Sequence, residues 1–277
     1  MSEWLLGPVD AIRLVAFRFA ATVALLIYTL SWALEGHEWL TPVGYHMSAS
    51  ASDGLQLPIP LLDPITLVLF MLVYVGSMVA ITLGWQARAC SLPVFAGLVY
   101  VTIADRLSSF SMNKLGIVAW SILLLAPWPG ARERELRSAW PLRILQATLL
   151  LQYVGAGICK LRGGWLRNPE ALWLQVQDVY MTELAAWMVR ELPIGAWMFL
   201  QYGALAFELL APLLLCVRRL QPLGFAWGLA MHLAIGLMMY RVGLFSLSVV
   251  AYYVLFVDEQ RLAAFRRWLG PEPRTAG

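Results

Sequence analysis

Charged residues are scarce in this sequence, and the scarcity excludes most classes of soluble protein. Charged side chains make up 13% of the 277 residues and hydrophobic ones 60%, whereas soluble domains have about 25% and about 45–50%. The three cysteines form no CxxC pair, so a disulfide-stapled secreted domain is excluded. The net charge of +3 is too small for a nucleic-acid-binding surface. P-loop, GxSxG and dinucleotide-binding motifs are also missing.

Long apolar runs dominate the sequence instead. A helix needs about 20 apolar residues to cross the core of a bilayer, and hydropathy with proline and glycine punctuation predicts eight spans. They are Ala11–Leu34, Pro64–Gly84, Ala89–Ala104, Leu115–Trp128, Pro141–Lys160, Ile194–Val217, Leu223–Met239 and Gly243–Val257. The prediction is therefore an all-α, polytopic transmembrane helical bundle, forming a single domain over residues 1–277. Its core covers 11–257, and 258–277 form a basic cytoplasmic tail.

A further helix is predicted between the fifth and sixth spans. Asn168 as N-cap, Pro169 at the first helical position and Glu170 in the first turn make a good helix start. Apolar residues then recur at roughly helical spacing at Leu172, Val176, Val179, Leu184 and Trp187. We expect this amphipathic helix to lie in the membrane interface rather than across it.

Basic residues predict the orientation in a cell membrane. With eight spans and a cytoplasmic N-terminus, the inner segments hold ten basic residues, Arg88, Arg132, Arg134, Arg137, Arg218, Arg219, Arg261, Arg266, Arg267 and Arg274. The outer segments hold six, Arg106, Lys114, Arg162, Arg167, Arg190 and Arg241. Positive charge accumulates on the cytoplasmic side, so both termini are expected inside. The outer minority is large, which suggests that these charges serve a site facing the periplasm or lumen.

Lys160 is the leading candidate for a catalytic base. A charge inside a span costs about 2.5–3.5 kcal/mol on insertion scales and is a functional candidate by default. Tyr153, Gly157 and Lys160 are spaced i, i+4, i+7 and share one helix face. Loss of hydration favours the neutral amine, which can act as a general base. The alternative is a snorkelling lysine that anchors the helix end.

Two further polar residues lie within predicted spans. Glu208 needs either a proton or a cation nearby, and Arg18 in the first span is a candidate partner; the alternative is a structural ion pair. His232 is flanked by Gly228 and Gly236, which predicts a seam of small residues against another helix. The alternative for His232 is a satisfied core histidine. No metal site is expected, because the other histidines lack ligand spacing.

The exit of the fifth span carries a recognisable motif. It reads Tyr153-Val-Gly-Ala-Gly157-Ile-Cys-Lys160-Leu-Arg-Gly-Gly-Trp165 and resembles the Y-x-x-A-G-x-x-K-L-x-x-x-W segment of the HTTM superfamily, whose best-known member is the vitamin K-dependent gamma-carboxylase. Other pieces are similar in the same order along residues 11–257. They are Ala16-Phe17-Arg18, Met112-Asn113, Glu208-Leu-Leu-Ala-Pro212, His232 and Gly243-Leu-Phe245.

The resemblance implies a polytopic helical domain with its site on the lumenal or periplasmic side. In the carboxylase, the lysine that matches Lys160 deprotonates vitamin K hydroquinone. Oxygen then converts the hydroquinone to a strong base, which removes a glutamyl proton before CO2 adds. The resemblance thus implies a reduced quinone as cofactor and an exported peptide as partner, beside the lipid bilayer. Lys114 stands where the carboxylase has a histidine after its Asn, here Asn113. A counterpart of its large extra-membrane C-terminal part is not expected.

The leading hypothesis is an HTTM-type membrane enzyme, carboxylase-like and possessing a membrane-embedded lysine base, that acts on a quinol or an exported peptide. Lys160, Glu208 and His232 are the expected catalytic residues. The residues expected to bind substrate or cofactor are Tyr153, Gly157, Arg162, Trp165, Lys114, Asn113 and Arg18. The alternative is a non-catalytic helper for peptide or toxin maturation, immunity or binding. A transporter ranks third, because matching halves with broken spans are not found.

Overall fold

The computed structural model describes residues 2–44, 46, 59–104, 110–126 and 136–262. The described chain is almost entirely helical and divides into two compact units. The first contains the described residues up to Leu142 together with 258–262, and the second is Arg143–Val257. The prediction of an all-α helical bundle is therefore confirmed.

The first unit contains six helices within the described residues. They are α1 (Ser2–Leu6), α2 (Ile12–Trp32), α3 (Gly36–Leu40), α4 (Pro64–Thr82), α5 (Ala87–Ala104) and α6 (Ser111–Leu125). Asp63 caps α4, since its Oδ1 accepts hydrogen bonds from the amides of Ile65 and Thr66 at 3.0 and 3.1 Å. Hydrogen bonds from the side chain and amide of Thr66 lower the pKa of the Asp63 carboxyl.

Close helix packing and a short β-ribbon stabilise the first unit. Helix α5 packs between α4 and α6, and a Cβ on Gly97 of α5 would overlap the ring of Tyr74. The two-stranded antiparallel ribbon joins β1 (Pro8–Asp10) to β2 (Leu136–Ser138). An ion pair between Arg13 and Glu259, with 2.9 Å between nitrogen and oxygen, ties α2 to the last described segment.

The second unit is built from the remaining helices. They are α7 (Trp140–Arg162, which begins in the first unit), α8 (Ala171–Val176), α9 (Glu183–Glu191), α10 (Ile194–Cys216), α11 (Gln221–Met238) and α12 (Val242–Ala251), which a 3₁₀ turn extends over Tyr252–Phe256. Helix α11 packs between α10 and α12. Gly224 faces the backbone of Leu214, and Gly236 faces Gly243. On the Gly236 side of His232, small residues therefore do meet, between α11 and α12, whereas Gly228 faces the rings of Tyr253 and Phe207.

Each predicted span coincides with a helix, but the count of eight spans is not confirmed. Five segments are long and apolar enough to cross a membrane within the described residues, Ile12–Leu40, Pro64–Thr82, Ala87–Ala104, Trp140–Arg162 and Ile194–Cys216. Helices α6 and α12 are apolar but shorter. Helix α6 starts at Ser111 rather than Leu115, so Asn113 and Lys114 lie in its first turn. The predicted end of that span at Trp128 lies outside the described residues.

The predicted amphipathic helix is divided into two short helices. Asn168 does not cap a helix; its side chain accepts from the amide of Glu170 in a turn, at 3.1 Å, and α8 begins at Ala171. The helix then breaks because residues 180–182 pair with the end of α11. The amide of Thr182 donates to the carbonyl of Met238 at 3.0 Å, and the Thr182 hydroxyl donates to Leu237 at 2.6 Å. Thr182 also caps α9.

Candidate functional site

Lys160 and Glu208 form an ion pair inside the second unit. Lys160 lies in the last turn of α7 and Glu208 in the middle of α10, and the Lys160 Nζ contacts Glu208 Oε1. The side chain of Glu208 is 8% exposed and that of Lys160 is 25% exposed. The other oxygen, Glu208 Oε2, is buried and has no hydrogen-bond partner among the described residues. The pair therefore leaves one buried acceptor available for a donor.

Trp165 folds back over the end of α7 through a turn at Gly163 and Gly164. Gly164 has φ of +84°, and the amide of Trp165 donates to the carbonyl of Lys160 at 3.1 Å. Glycine adopts this left-handed conformation freely, and the six-to-one hydrogen bond is the Schellman helix ending. As a result the Lys160 Nζ lies 4.8 Å from the centroid of the Trp165 ring. A carboxylate and an aromatic face thus both contact the same amine.

Gly157 allows α7 and α10 to approach closely beside this pair. A Cβ on Gly157 would lie 2.8 Å from Leu209 Cδ2 and 3.4 Å from Glu208 Cβ. Small residues at such positions let helices approach closely in membranes. Gly157 therefore contributes by leaving space, which brings Glu208 to the lysine face of α7.

A second polar cluster lies about two turns of α7 away from Lys160 and is fully buried. The Tyr153 hydroxyl is 2.7 Å from His232 Nε2 and 2.7 Å from the Tyr253 hydroxyl. His232 Nδ1 is 3.1 Å from Ser246 Oγ. These four residues form an unbroken chain of hydrogen bonds from α7 to α11, α12 and the 3₁₀ turn. Because each hydroxyl can donate or accept and either imidazole nitrogen can carry the proton, the chain is consistent in both directions.

Packing around the second cluster depends on Gly228 and Phe207. A Cβ on Gly228 would overlap the Tyr253 hydroxyl and lie 2.6 Å from Phe207 Cζ. The Phe207 ring meets the Tyr153 ring edge-to-face, with 5.2 Å between centroids. Sequence reasoning missed Tyr253 and Ser246, since both lie in an apolar run without a distinctive motif. The only available signal was the pair of glycines around His232.

The remaining predicted site residues are placed as follows. Arg162 is exposed at the end of α7. Arg18, Asn113 and Lys114 belong to the first unit; Arg18 and Asn113 are buried and Lys114 is exposed. Asn113 is a hydrogen-bond partner of the Tyr28 side chain. The cation that contacts Glu208 is Lys160, and the pairing of Glu208 with Arg18 stays a prediction.

Comparison with known proteins identifies the family. The model of the HTTM domain matches residues 7–260, nearly the whole chain. The chain belongs to the HTTM domain family. It is therefore a membrane protein of the vitamin K-dependent carboxylase-like family, as its apolar helices also indicate. Searches of curated proteins and of solved structures found no match.

Proposed function

We propose that this HTTM protein is a membrane enzyme in which Lys160 acts as a general base. Its substrate would be a lipid-soluble quinol or an exported peptide, and the site suits the quinol. One observation carries the proposal: the Lys160 amine contacts one oxygen of the buried Glu208 carboxylate, and the other oxygen lacks a partner among the described residues. A buried acceptor without a donor is unfavourable. A ligand that brings an O–H group removes that penalty.

The residues around the pair suit a reduced quinone. Trp165 offers an aromatic face, Lys160 a donor and Glu208 Oε2 an acceptor. A bound quinol supplies a weakly acidic O–H group and, after deprotonation, an electron-rich ring that reacts with oxygen. Lys160, Glu208 and Trp165 would hold this group.

Proton transfer within the pair prepares the base. In a low-dielectric site the ionic form and the neutral form of a carboxylate–amine pair approach each other in energy. When Glu208 takes the proton, Lys160 has a lone pair and accepts the proton of the substrate hydroxyl. Lys160 is then an ammonium beside the developing negative charge, while Glu208 keeps its own proton. Charge and protons balance without a further acid.

The remaining expected residues of the second unit have supporting roles in this proposal. Tyr153 and His232 fix the facing helices through the buried hydrogen-bond chain, and Gly157 lets Glu208 approach Lys160. Arg162 and Trp165 would contact the bound substrate near the end of α7. The expected roles of Arg18, Asn113 and Lys114, which belong to the first unit, stay predictions. No metal enters the proposal.

The decisive experiment compares Lys160→Arg with Lys160→Met. Arginine keeps the ion pair with Glu208 but stays protonated, whereas methionine removes the charge. Untargeted analysis compares the quinones and peptides of a deletion strain with those of the same strain carrying the parent gene. We expect neither variant to restore the profile that the parent gene restores. Lys160→Arg should fold like the parent. Gly155→Ala, also on α7 but facing open space, is the matched control.

A non-catalytic helper for peptide maturation, immunity or binding is the second candidate. It is favoured by the ion pair between Lys160 and Glu208, which a purely structural role in joining α7 to α10 would also require. This candidate predicts that Lys160→Arg retains biological function. The two candidates therefore differ in the outcome for one conservative variant. A transporter remains third.

The proposal places the Lys160 end of α7 on the periplasmic or lumenal side of the cell membrane, with both termini in the cytoplasm. Leu166 and Leu83 are 59% and 78% exposed and lie near opposite predicted faces. In a background without the three native cysteines, Leu166→Cys should react with a membrane-impermeant maleimide on intact cells. Leu83→Cys should react only after lysis. The reverse pattern contradicts the orientation.

A further inference from the structure

We propose that Gln201 is a positioning residue that holds the Trp165 ring over the Lys160 amino group. This inference deepens the proposed function and rests on it only for its consequence in catalysis. Gln201 lies on α10, is fully buried, and was not singled out by the sequence pattern. Its side chain contacts the segment that connects α7 to α8.

The side-chain amide of Gln201 binds three backbone groups, two in that segment and one in the first turn of α8. Its Nε2 donates to the carbonyls of Trp165 and Asn168, at 2.6 and 2.9 Å. Its Oε1 accepts from the amide of Leu172 at 2.8 Å. Both donors and one acceptor site of the side chain are therefore used. A reversed amide would point oxygen at two carbonyl oxygens, so the network permits one orientation.

Residue 165 is consequently held on both sides of its Cα. Its amide donates to the carbonyl of Lys160, and its carbonyl accepts from Gln201. The first contact belongs to the end of α7 and the second to α10. With both backbone groups fixed, only the side-chain torsions of Trp165 remain free, and its ring lies 4.8 Å from the Lys160 Nζ.

Helix α10 therefore controls both neighbours of the Lys160 amine. Glu208 follows Gln201 by seven residues, two helical turns, so both side chains lie on one face of α10. Glu208 contacts the amine directly, and Gln201 places the aromatic ring indirectly. A cation gains from the negative face of such a ring. Loss of the Gln201 contacts should thus change the environment of Lys160 while Glu208 stays in place.

The low lysine content allows Lys160 to be observed selectively by NMR. Lys114 and Lys160 are the two lysines of the sequence, so protein labelled with ¹³C at lysine Cε gives two lysine signals. A Lys114→Arg background leaves Lys160 alone. An aromatic face shifts the ε-protons above it upfield, and Trp165→Leu should remove that shift. The experiment uses the full chain in lipid nanodiscs.

Gln201→Leu and Gln201→Glu are the test variants. The glutamate keeps size and the acceptor for Leu172 but lacks the two amide donors. We expect both variants to lose most of the upfield shift of the Lys160 ε-protons, as Trp165→Leu does. Gln177→Leu is the matched control, because that side chain is exposed and donates a hydrogen bond to the carbonyl of Trp173, within α8 and away from Trp165.

Three outcomes overturn the inference. The Lys160 signal could stay unchanged in folded Gln201 variants, Trp165→Leu could leave it unchanged, or neither Gln201 variant could fold, which would show that the residue is structural. Failure of the proposed function looks different. In that case Lys160→Arg keeps biological function, while the lysine signal still responds to Gln201.

Discussion

The two polar clusters of the second unit differ in how completely their hydrogen bonds are satisfied. The cluster of Tyr153, His232, Tyr253 and Ser246 is buried, and every side chain in it has a partner. The cluster of Lys160 and Glu208 is partly exposed and leaves Glu208 Oε2 without one. A satisfied network stabilises one arrangement of helices, whereas an unsatisfied buried acceptor is a place where a ligand can gain binding energy. The contrast supports our proposal that the cluster around His232 has a structural role and the cluster around Lys160 a chemical one.

Removing one partner of the ion pair should give the largest effect. Lys160→Met leaves the carboxylate of Glu208 buried, which typically costs about 3–5 kcal/mol of unfolding free energy. Glu208→Gln leaves the more exposed Lys160, which can extend toward water, and should cost about 1–3 kcal/mol. Unfolding in mixed SDS micelles measures both.

The double variant tests whether these two residues interact. Its cost should be smaller than the sum of the single costs, because the second substitution removes a charge that is already unpaired. Additive costs would show that Lys160 and Glu208 do not interact. They would then not form a cluster that can be compared with the one around His232.

The unfolding free energies of Gly228→Ala and Gly157→Ala compare how rigidly the two clusters are packed. Gly228→Ala places a methyl group against the Tyr253 hydroxyl and the Phe207 ring, and should destabilise the protein by about 1–3 kcal/mol through overpacking. Gly157→Ala meets the flexible tip of Leu209 and should cost less. Gly155→Ala, which meets nothing within 4 Å, controls for helix propensity. Equal losses at Gly228 and Gly157 would argue against a rigid cluster around His232.

Replacing each tyrosine with phenylalanine shows how much its hydroxyl contributes to the buried chain of hydrogen bonds. Tyr153→Phe removes two hydrogen bonds and leaves His232 Nε2 and the Tyr253 hydroxyl unpaired, so a cost of about 1–3 kcal/mol is expected. Tyr253→Phe removes only the terminal bond and should cost about 0.5–1.5 kcal/mol. Thermal unfolding in detergent gives the order. The opposite order would mean that Tyr253 has the central position.

Local signals explain why the helices were predictable. Apolar runs define α4 and α10, and Asp63 before Pro64 fixes the start of α4, because a capping carboxylate acts within three residues. The break between α8 and α9 was not predictable, since Thr182 gains its hydrogen bonds from the distant end of α11. Periodicity carries no information about such tertiary pairing.

The candidate site was predictable only in part, for the same reason. Three residues stand out in the sequence because placing a charged or polar side chain in an apolar span costs free energy. They are Lys160, Glu208 and His232. Which cation contacts Glu208 depends on the packing of α7 against α10, across 48 residues. The sequence offered Arg18 as a candidate partner of Glu208, and that pairing stays a prediction. The contact with Lys160 depends on the space that Gly157 leaves between the helices. Tyr253 remained hidden because a tyrosine in an apolar run has no signature of its own.

The smallest expected effect concerns the aromatic face beside Lys160. A cation over a tryptophan ring contributes about 0.5–1 kcal/mol at an exposed site, and the Lys160 side chain is 25% exposed. Trp165→Leu should therefore reduce the unfolding free energy only slightly, while Trp165→Phe should retain part of the contribution. Leu166→Ala, at the exposed neighbouring position, controls for changes in the turn. If Trp165→Leu destabilised the protein as strongly as Lys160→Met, the ring would be a packing element of the second unit rather than a contact of the amine. In that case the cluster around Lys160 would be as rigid as the one around His232, and the division between chemistry and support would not hold.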